Sequence, residues 1–308
     1  MTEYQQKIVP FLWFETEAVK ATKFYEKIFP NSKVNKVTKI YDTPSGDCDE
    51  VSFEIWGQKF MAISAGPLCR FNPAISFMVN FDPSRDNNAS TLLDEIWHQL
   101  SEGGKVLMPL GEYPFSKKYG WLEDKYGVSW QLILTNPDGD ERPPIIPTFT
   151  FVGKDFKKAE AAMNFYLSVF KNSTQGQVAY YPQQENTNNN RAILFSDFAL
   201  EGEWFVAMDG EGEHHFNFNE SISFTVLCDS QEEIDYYWNK LSAVRESEQC
   251  GWLKDKFGIS WQIVPRALAK MMGEGSQEAV NRVNEATLKM KKIDLATLQS
   301  AYRGNNRI

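Results

Sequence analysis

A twelve-residue stretch occurs twice in this chain, as GWLEDKYGVSWQ at Gly120 to Gln131 and as GWLKDKFGISWQ at Gly251 to Gln262. The copies lie 131 residues apart, and nine of their twelve positions are identical. Two tryptophans, two glycines and a glutamine kept in register mark a tandem duplication, so any fold proposed for one half must also serve the other. Each copy runs into an apolar, aromatic and β-branched segment, which reads as a buried strand.

The segments around the repeat alternate in a fixed order. Ile8 to Phe14 is a short apolar run of strand character, and Glu17 to Phe29 carries Ala18, Ala21, Tyr25 and Ile28 at helical spacing. Three further strand-like runs follow, at Val34 to Tyr41, Glu50 to Trp56 and Lys59 to Ser64, with a tight turn at Gly57-Gln58. The order recurs from Ala74 to Leu134, with a helix at Ala89 to Leu100 and strands at Lys105 to Leu110, Tyr119 to Glu123 and Ser129 to Leu134. A turn-rich linker, Asn136 to Pro144, precedes the second copy. There Phe165-Tyr166 answers Phe24-Tyr25, Gly202 answers Gly57, and Trp238 answers Trp97. These readings set units at 1–137 and 145–265 and a helical extension at 266–308, where Val283, Leu288, Leu295, Leu298 and Tyr302 give one apolar side. The tract Gln183 to Asn190 is polar and of low complexity, as expected of a flexible hairpin tip.

The copies differ in one respect. Nineteen residues separate Leu100 from Gly120, whereas nine separate Leu241 from Gly251. The surplus segment carries Tyr113, Pro114 and Phe115, so the two halves cannot present identical pockets.

The net charge of −9 disfavours nucleic acid as a partner, because phosphate recognition needs clustered cations. From Arg266 onward eight basic residues face four acidic ones, a net of +4, which leaves −13 on the remainder. Cys48, Cys69, Cys228 and Cys250 are scattered, with no CxxC pair, so neither a zinc cluster nor a disulfide framework follows. There is no stretch of 18 apolar residues and no signal-type start, which gives the expectation of a cytoplasmic protein that does not enter membranes.

The βαβββ order, repeated four times, resembles the vicinal oxygen chelate superfamily of glyoxalase I, extradiol dioxygenases and bleomycin- and fosfomycin-resistance proteins. The stretches IVPFLWF at Ile8, Phe24-Tyr25 with Phe29-Pro30-Asn31-Ser32, and the GW…SWQ endings are similar to its PhnB-like branch, often labelled 3-demethylubiquinone-9 3-methyltransferase. The resemblance implies an α+β fold: tandem glyoxalase-like domains, each of two βαβββ modules forming a curved mixed sheet, plus a C-terminal helical arm. Modules would pair within each half, and because single-domain members of the superfamily commonly pair, the two halves would form an internal pseudo-dimer, while the tail could still join two chains as a homodimer. No strand is followed by a Gly-rich loop opening a helix, so the methyltransferase label finds no cofactor-binding loop here.

Metal-dependent members of the superfamily place a His on a module's first strand and a Glu on its last. This chain has three histidines, His98 in a helix and the adjacent His214-His215 in a connection that reads as a solvated loop. The Glu position is held by Gln131 and Gln262, poor ligands for a hard dication. The expectation is therefore no metal and no cofactor. Each half would instead offer an aromatic cup closed by an amide, built from Trp13, Phe77, Tyr113, Phe115, Trp121, Trp130 and Gln131 in the first copy. Phe149, Phe224, Cys250, Trp252, Trp261 and Gln262 would build the second. Such a cup suits a small organic ligand. The alternative is an enzyme of lyase, isomerase or dioxygenase type with a relocated metal or an acid–base site. Asp124 and Asp255 are read as serving the turn before each last strand.

Overall fold

The computed structural model describes residues 6–43, 45–182 and 191–304, and the tract Gln183 to Asn190 lies outside them. The chain divides into a larger unit, residues 10–222, and a smaller one made of residues 1–9 and 223–308.

The larger unit contains three βαβββ modules. The first is β1 (Ile8–Phe14), α1 (Ala18–Ile28), β2 (Lys33–Thr43), β3 (Gly46–Ile55) and β4 (Gln58–Ser64). The second is β5 (Ile75–Phe81), α2 (Ala89–Ser101), β6 (Lys105–Tyr113), β7 (Ser116–Glu123) and β8 (Ser129–Leu134). The third is β9 (Ile145–Phe151), α3 (Ala159–Val169), β10 (Ser173–Tyr180), β11 (Ile193–Leu200) and β12 (Glu203–Asp209). In each module the first strand runs parallel to the last, while the helix carries the chain from the first strand to the second at the far side and two hairpins return it.

Local chemistry explains the repetition. The last hairpins of the first and third modules turn on residue pairs with positive φ, Trp56-Gly57 (52° and 81°) and Glu201-Gly202 (52° and 85°). Two-residue turns of that kind match the right-handed strand twist. The strand that closes each of these modules then caps its helix. Ser64 Oγ accepts the Ala18 N–H at 3.0 Å, and Asp209 Oδ1 accepts the Ala159 N–H at 3.3 Å.

Modules two and three share an eight-stranded sheet in the order β10-β11-β12-β9-β5-β8-β7-β6. Its centre is an antiparallel pair between β5 and β9, with Ser76 opposite Thr148. In this sheet, then, the modules pair across the linker between the halves rather than within one half. The linker is tied down beside them. The Asn80 N–H donates to the Pro144 carbonyl at 2.7 Å, and Asn80 Nδ2 donates to the Pro143 carbonyl at 2.8 Å. The surplus segment of the first half is not a free loop either. It lengthens β6 and β7 into a hairpin whose register shifts three times. Pro109 and Gly111 interrupt the strand pattern in sequence, but β6 is an edge strand, where bulges and proline are tolerated.

The smaller unit holds β13 (Ile222–Cys228), α4 (Gln231–Leu241), β14 (Trp252–Lys254) and β15 (Ser260–Pro265), followed by α5 (Arg266–Glu274), α6 (Gln277–Leu288) and α7 (Leu295–Arg303). The tail helices enclose their own apolar cluster around Met271, Val283, Ile293 and Leu298. The tail also docks on the strand region before β14, where the N–H groups of Cys250 and Gly251 donate to the carbonyls of Met290 and Lys291, both at 2.8 Å. Burial raises the Cys250 thiol above its ordinary range, which suits a resting thiol rather than a nucleophile.

The duplicated glycine is required twice for different reasons. A Cβ on Gly120 would lie 2.4 Å from the ring of Trp97. Gly251 instead has φ +86°, a conformation that strains any L side chain.

Candidate functional site

Strand alternation gives β5, β8 and β9 two faces. On one face Trp130 packs against Tyr25, Phe29 and Phe77, with ring centroids 5.2–5.4 Å apart. Phe149 lies among Tyr166, Phe205 and Phe218. The opposite, concave face carries Met78, Ile133, Ile146, Phe195, Trp204, Val206 and Met208 as one apolar cluster. Over it lies a cavity of about 1120 Å³, contained entirely within the larger unit. The β6–β7 hairpin supplies Met108, Phe115, Tyr119 and Trp121 as one wall. The linker contributes Asn136, Asp140 and Arg142, and the segment after β12 contributes Glu211, Glu213, His214, His215 and Phe216.

Gln131 stands on the cavity floor, 1% exposed. Its Nε2 donates to Ser76 Oγ at 2.8 Å, and its Oε1 accepts the Tyr119 hydroxyl at 2.7 Å. Burial raises the Tyr119 phenol, so it remains protonated and remains the donor. The amide is thus held from both ends. In the smaller unit Gln262 Nε2 donates to Ser223 Oγ at 3.0 Å, the same bond in the other copy. Cys250 takes the sequence position of Tyr119 there and brings no phenol.

The two cations of the lining are already engaged. Arg142 Nε donates to Asp197 Oδ2 at 2.6 Å, and its guanidinium lies 3.8 Å over the Trp204 ring. Lys105 pairs with Glu123 at 3.5 Å. Asp209 is likewise occupied, accepting from the Ile193 and Ala159 N–H groups, while burial raises its carboxyl.

The residues expected from sequence are distributed unevenly. Phe115 and Gln131 line the cavity, and Tyr113 stacks behind Phe115 with centroids 5.7 Å apart. Phe77, Trp130 and Phe149 lie on the opposite face of the sheet, in the core. Trp13 belongs to β1 and donates its indole N–H to the Gly66 carbonyl at 3.0 Å. Phe224, Cys250, Trp261 and Gln262 belong to the smaller unit. Met78, Tyr119, Thr150, Phe195 and Met208 line the cavity without having been singled out. Trp121, named from sequence, does line the cavity opposite Gln131, and the same parity would have found Tyr119, which faces Ile133 in register. His214 and His215 both line the cavity from a segment outside any strand, so the alternation that would send adjacent side chains to opposite faces does not apply to them. His214 Nε2 lies 2.9 Å from the Glu211 carbonyl, which can only accept, so that nitrogen carries the proton.

A divalent metal of the kind the superfamily implies would sit over the first and last strands of the two modules. The concave positions there hold Ser76, Thr148, Gln131 and Val206. Three neutral donors and an aliphatic side chain, with the amide committed to two hydroxyls, do not fit a hard dication. Among the described residues no three His, Cys, Asp or Glu side chains come together as a metal-holding group.

The 3-demethylubiquinone-9 3-methyltransferase family model matches residues 6–133 and again 143–264. The chain belongs to this family. It is a tandem, PhnB-like member, with one family unit in each half. A PhnB protein of Bacillus cereus, assigned to the same methyltransferase type, is 38% identical over 42% of this chain and 100% of its own, with a TM-score of 0.38. A point mutant of glyoxalase I of Zea mays aligns over 85% of this chain and 95% of its own at 11% identity, with a TM-score of 0.51. The fosfomycin resistance protein FosX of Listeria monocytogenes covers 44% of this chain and 95% of its own at 13% identity, with a TM-score of 0.32. No curated protein matches the chain. Among the described residues no helix is long and apolar enough to cross a membrane.

Proposed function

We propose that this PhnB-like protein binds a small, largely apolar organic molecule in the concave cavity of the eight-stranded sheet, without a metal ligated at the family's usual positions. The observation that carries this reading is the cavity itself. It is about 1120 Å³, on the scale of pockets that enclose small organic ligands, with an apolar floor and a single doubly held amide at Gln131. The burial of the ligand's apolar surface would supply the affinity, and the fixed amide would orient it. The methyltransferase description would require a nucleotide-type cofactor site at a strand-to-helix turn. The turn after β1 is Glu15-Thr16-Glu17, and the turn after β9 contains one glycine, Gly153, so neither fits a Gly-rich phosphate cradle. The reading takes 1–137 and 145–265 as duplicated units and 266–308 as an extension.

Calorimetry of the intact chain against a panel of apolar small molecules, with metal analysis of protein purified without chelator, tests the proposal. One-to-one binding that is weakened by Gln131→Leu is expected, with substoichiometric metal. A stoichiometric divalent ion lost on replacing Gln131 would overturn it.

A further inference from the structure

The surplus hairpin of the first half gives the cavity a feature that its apolar floor alone does not require. Phe115 is 56% exposed, yet it lines the cavity and is held in place by two neighbours. Tyr113 stacks on it at 5.7 Å with an interplanar angle of 23°, and Tyr119 meets it edge-on at 5.0 Å. Tyr113 is itself anchored, donating its hydroxyl to the Pro109 carbonyl at 2.9 Å. A ring fixed in orientation, with more than half its surface uncovered, is a platform for another flat ring. The floor below it carries the thioethers of Met78 and Met208, which make favourable contacts with aromatic rings.

The charges facing the cavity give it a sign preference. Five lining residues are acidic (Asp140, Asp197, Asp209, Glu211, Glu213) and two are cationic, Lys105 and Arg142. Both cations are engaged, Lys105 by Glu123 and Arg142 by Asp197 and the Trp204 ring. Glu211 and Glu213 are exposed and have no side-chain partner among the described residues. The potential at the mouth therefore favours cations and opposes anions.

We infer that the cavity takes a planar aromatic molecule that is uncharged or positively charged, stacked on Phe115 and selected against anions by the Glu211 and Glu213 carboxylates. This rests on the small-molecule reading given above and narrows it. The intact chain would be titrated by calorimetry at low salt with four probes of one skeleton: 2-naphthylmethanol, 2-naphthylmethylammonium, 2-naphthoate and decahydro-2-naphthylmethanol. The ammonium is expected to bind roughly tenfold or more tightly than the naphthoate, with the gap shrinking as salt screens the carboxylates. Glu211→Gln with Glu213→Gln should narrow the same gap. Phe115→Ala, at an exposed position, should lower the unfolding midpoint only slightly, through the lost ring contacts to Tyr113 and Tyr119, while weakening 2-naphthylmethanol by roughly threefold to tenfold, the scale of one aromatic stacking contact. The saturated alcohol should bind more weakly than the naphthyl alcohol and lose less affinity on Phe115→Ala. Naphthoate binding tightest, or the saturated alcohol binding as well as the aromatic one, would overturn this inference and leave the small-molecule reading standing. No binding by any of the four would remove both.

Discussion

Replacing Asp124 by asparagine probes the heart of the duplicated stretch. Asp124 is 3% exposed, and four donors converge on its carboxylate. The N–H groups of Tyr126 and Val128 reach Oδ1 at 2.8 and 3.1 Å, while the Tyr25 hydroxyl and the Trp130 indole N–H reach Oδ2 at 2.7 and 2.9 Å. Burial raises this carboxyl, and the donors oppose that rise. In Asp124→Asn the amide oxygen can keep one pair of donors, and the new NH₂ must face the other. If the oxygen keeps the two backbone groups, Tyr25 can turn its hydroxyl to accept, but the Trp130 N–H meets another donor and stays unpaired. One charge-assisted bond is lost and one buried donor is orphaned, which together cost about 2–4 kcal/mol. At roughly 2–4 °C per kcal/mol for a unit of this size, the unfolding midpoint should fall by about 5–15 °C. Urea and thermal unfolding followed by tryptophan fluorescence would measure it. Tyr25→Phe, which removes a single donor, should cost less than Asp124→Asn. Asp255→Asn should behave like Asp124→Asn, because Asp255 takes the Phe257, Ile259 and Trp261 N–H groups at 2.8, 3.1 and 2.9 Å. An Asp124→Asn protein within about 1 kcal/mol of wild type would refute the reasoning, since it would mean that the four bonds contribute little.

Further outcomes follow from the same geometry. Gly120→Ala should destabilise by about 1–3 kcal/mol in urea titrations, because its Cβ would sit 2.4 Å from the Trp97 ring; Trp97→Leu in the same chain should recover part of that loss. Gln131→Leu leaves the Ser76 and Tyr119 hydroxyls without their amide partner and should cost about 1–3 kcal/mol, read from the shift in urea midpoint. Asp294 caps α7, accepting the Thr297 N–H at 2.7 Å, and the Thr297 bonds hold its carboxyl below the ordinary range. Its stabilisation is therefore fully present above the ordinary carboxylate value of 3.8 and lost as pH falls through the lowered folded value. Asp294→Ala should cost about 1 kcal/mol at neutral pH, and its unfolding midpoint should converge on wild type in acid.

The duplication made the modules and the family legible from sequence, because strand pattern, turn glycines and the GW…SWQ ending recur in a fixed order. The last hairpin turns of the first and third modules follow from local residues, Trp56-Gly57 and Glu201-Gly202. What the sequence could not supply was the partner of β5, since pairing with β9 is a contact between distant segments. The face of the site was hidden for a related reason. β5 reads ISFMVNF with only Asn80 not buried, so a period of two separates Phe77 from Met78 without saying which looks into the core. Aromatic residues therefore drew attention to Phe77, Trp130 and Phe149, while the concave face is set by methionines and by Gln131. Phe115 was found because it belongs to a segment that only one half possesses. His214 and His215 lie, as read from sequence, in a connection outside any strand, with His215 exposed, but no local pattern told that this connection borders the cavity.

The most direct measurement is a crystal structure of the intact chain soaked with 2-naphthylmethanol. Density for the ring is expected in the concave cavity, against Phe115 and above Met78 and Met208, with Gln131 still bonded to Ser76 and Tyr119. An empty cavity with the probe bound elsewhere, or a metal ion coordinated by Gln131 in its place, would contradict that expectation.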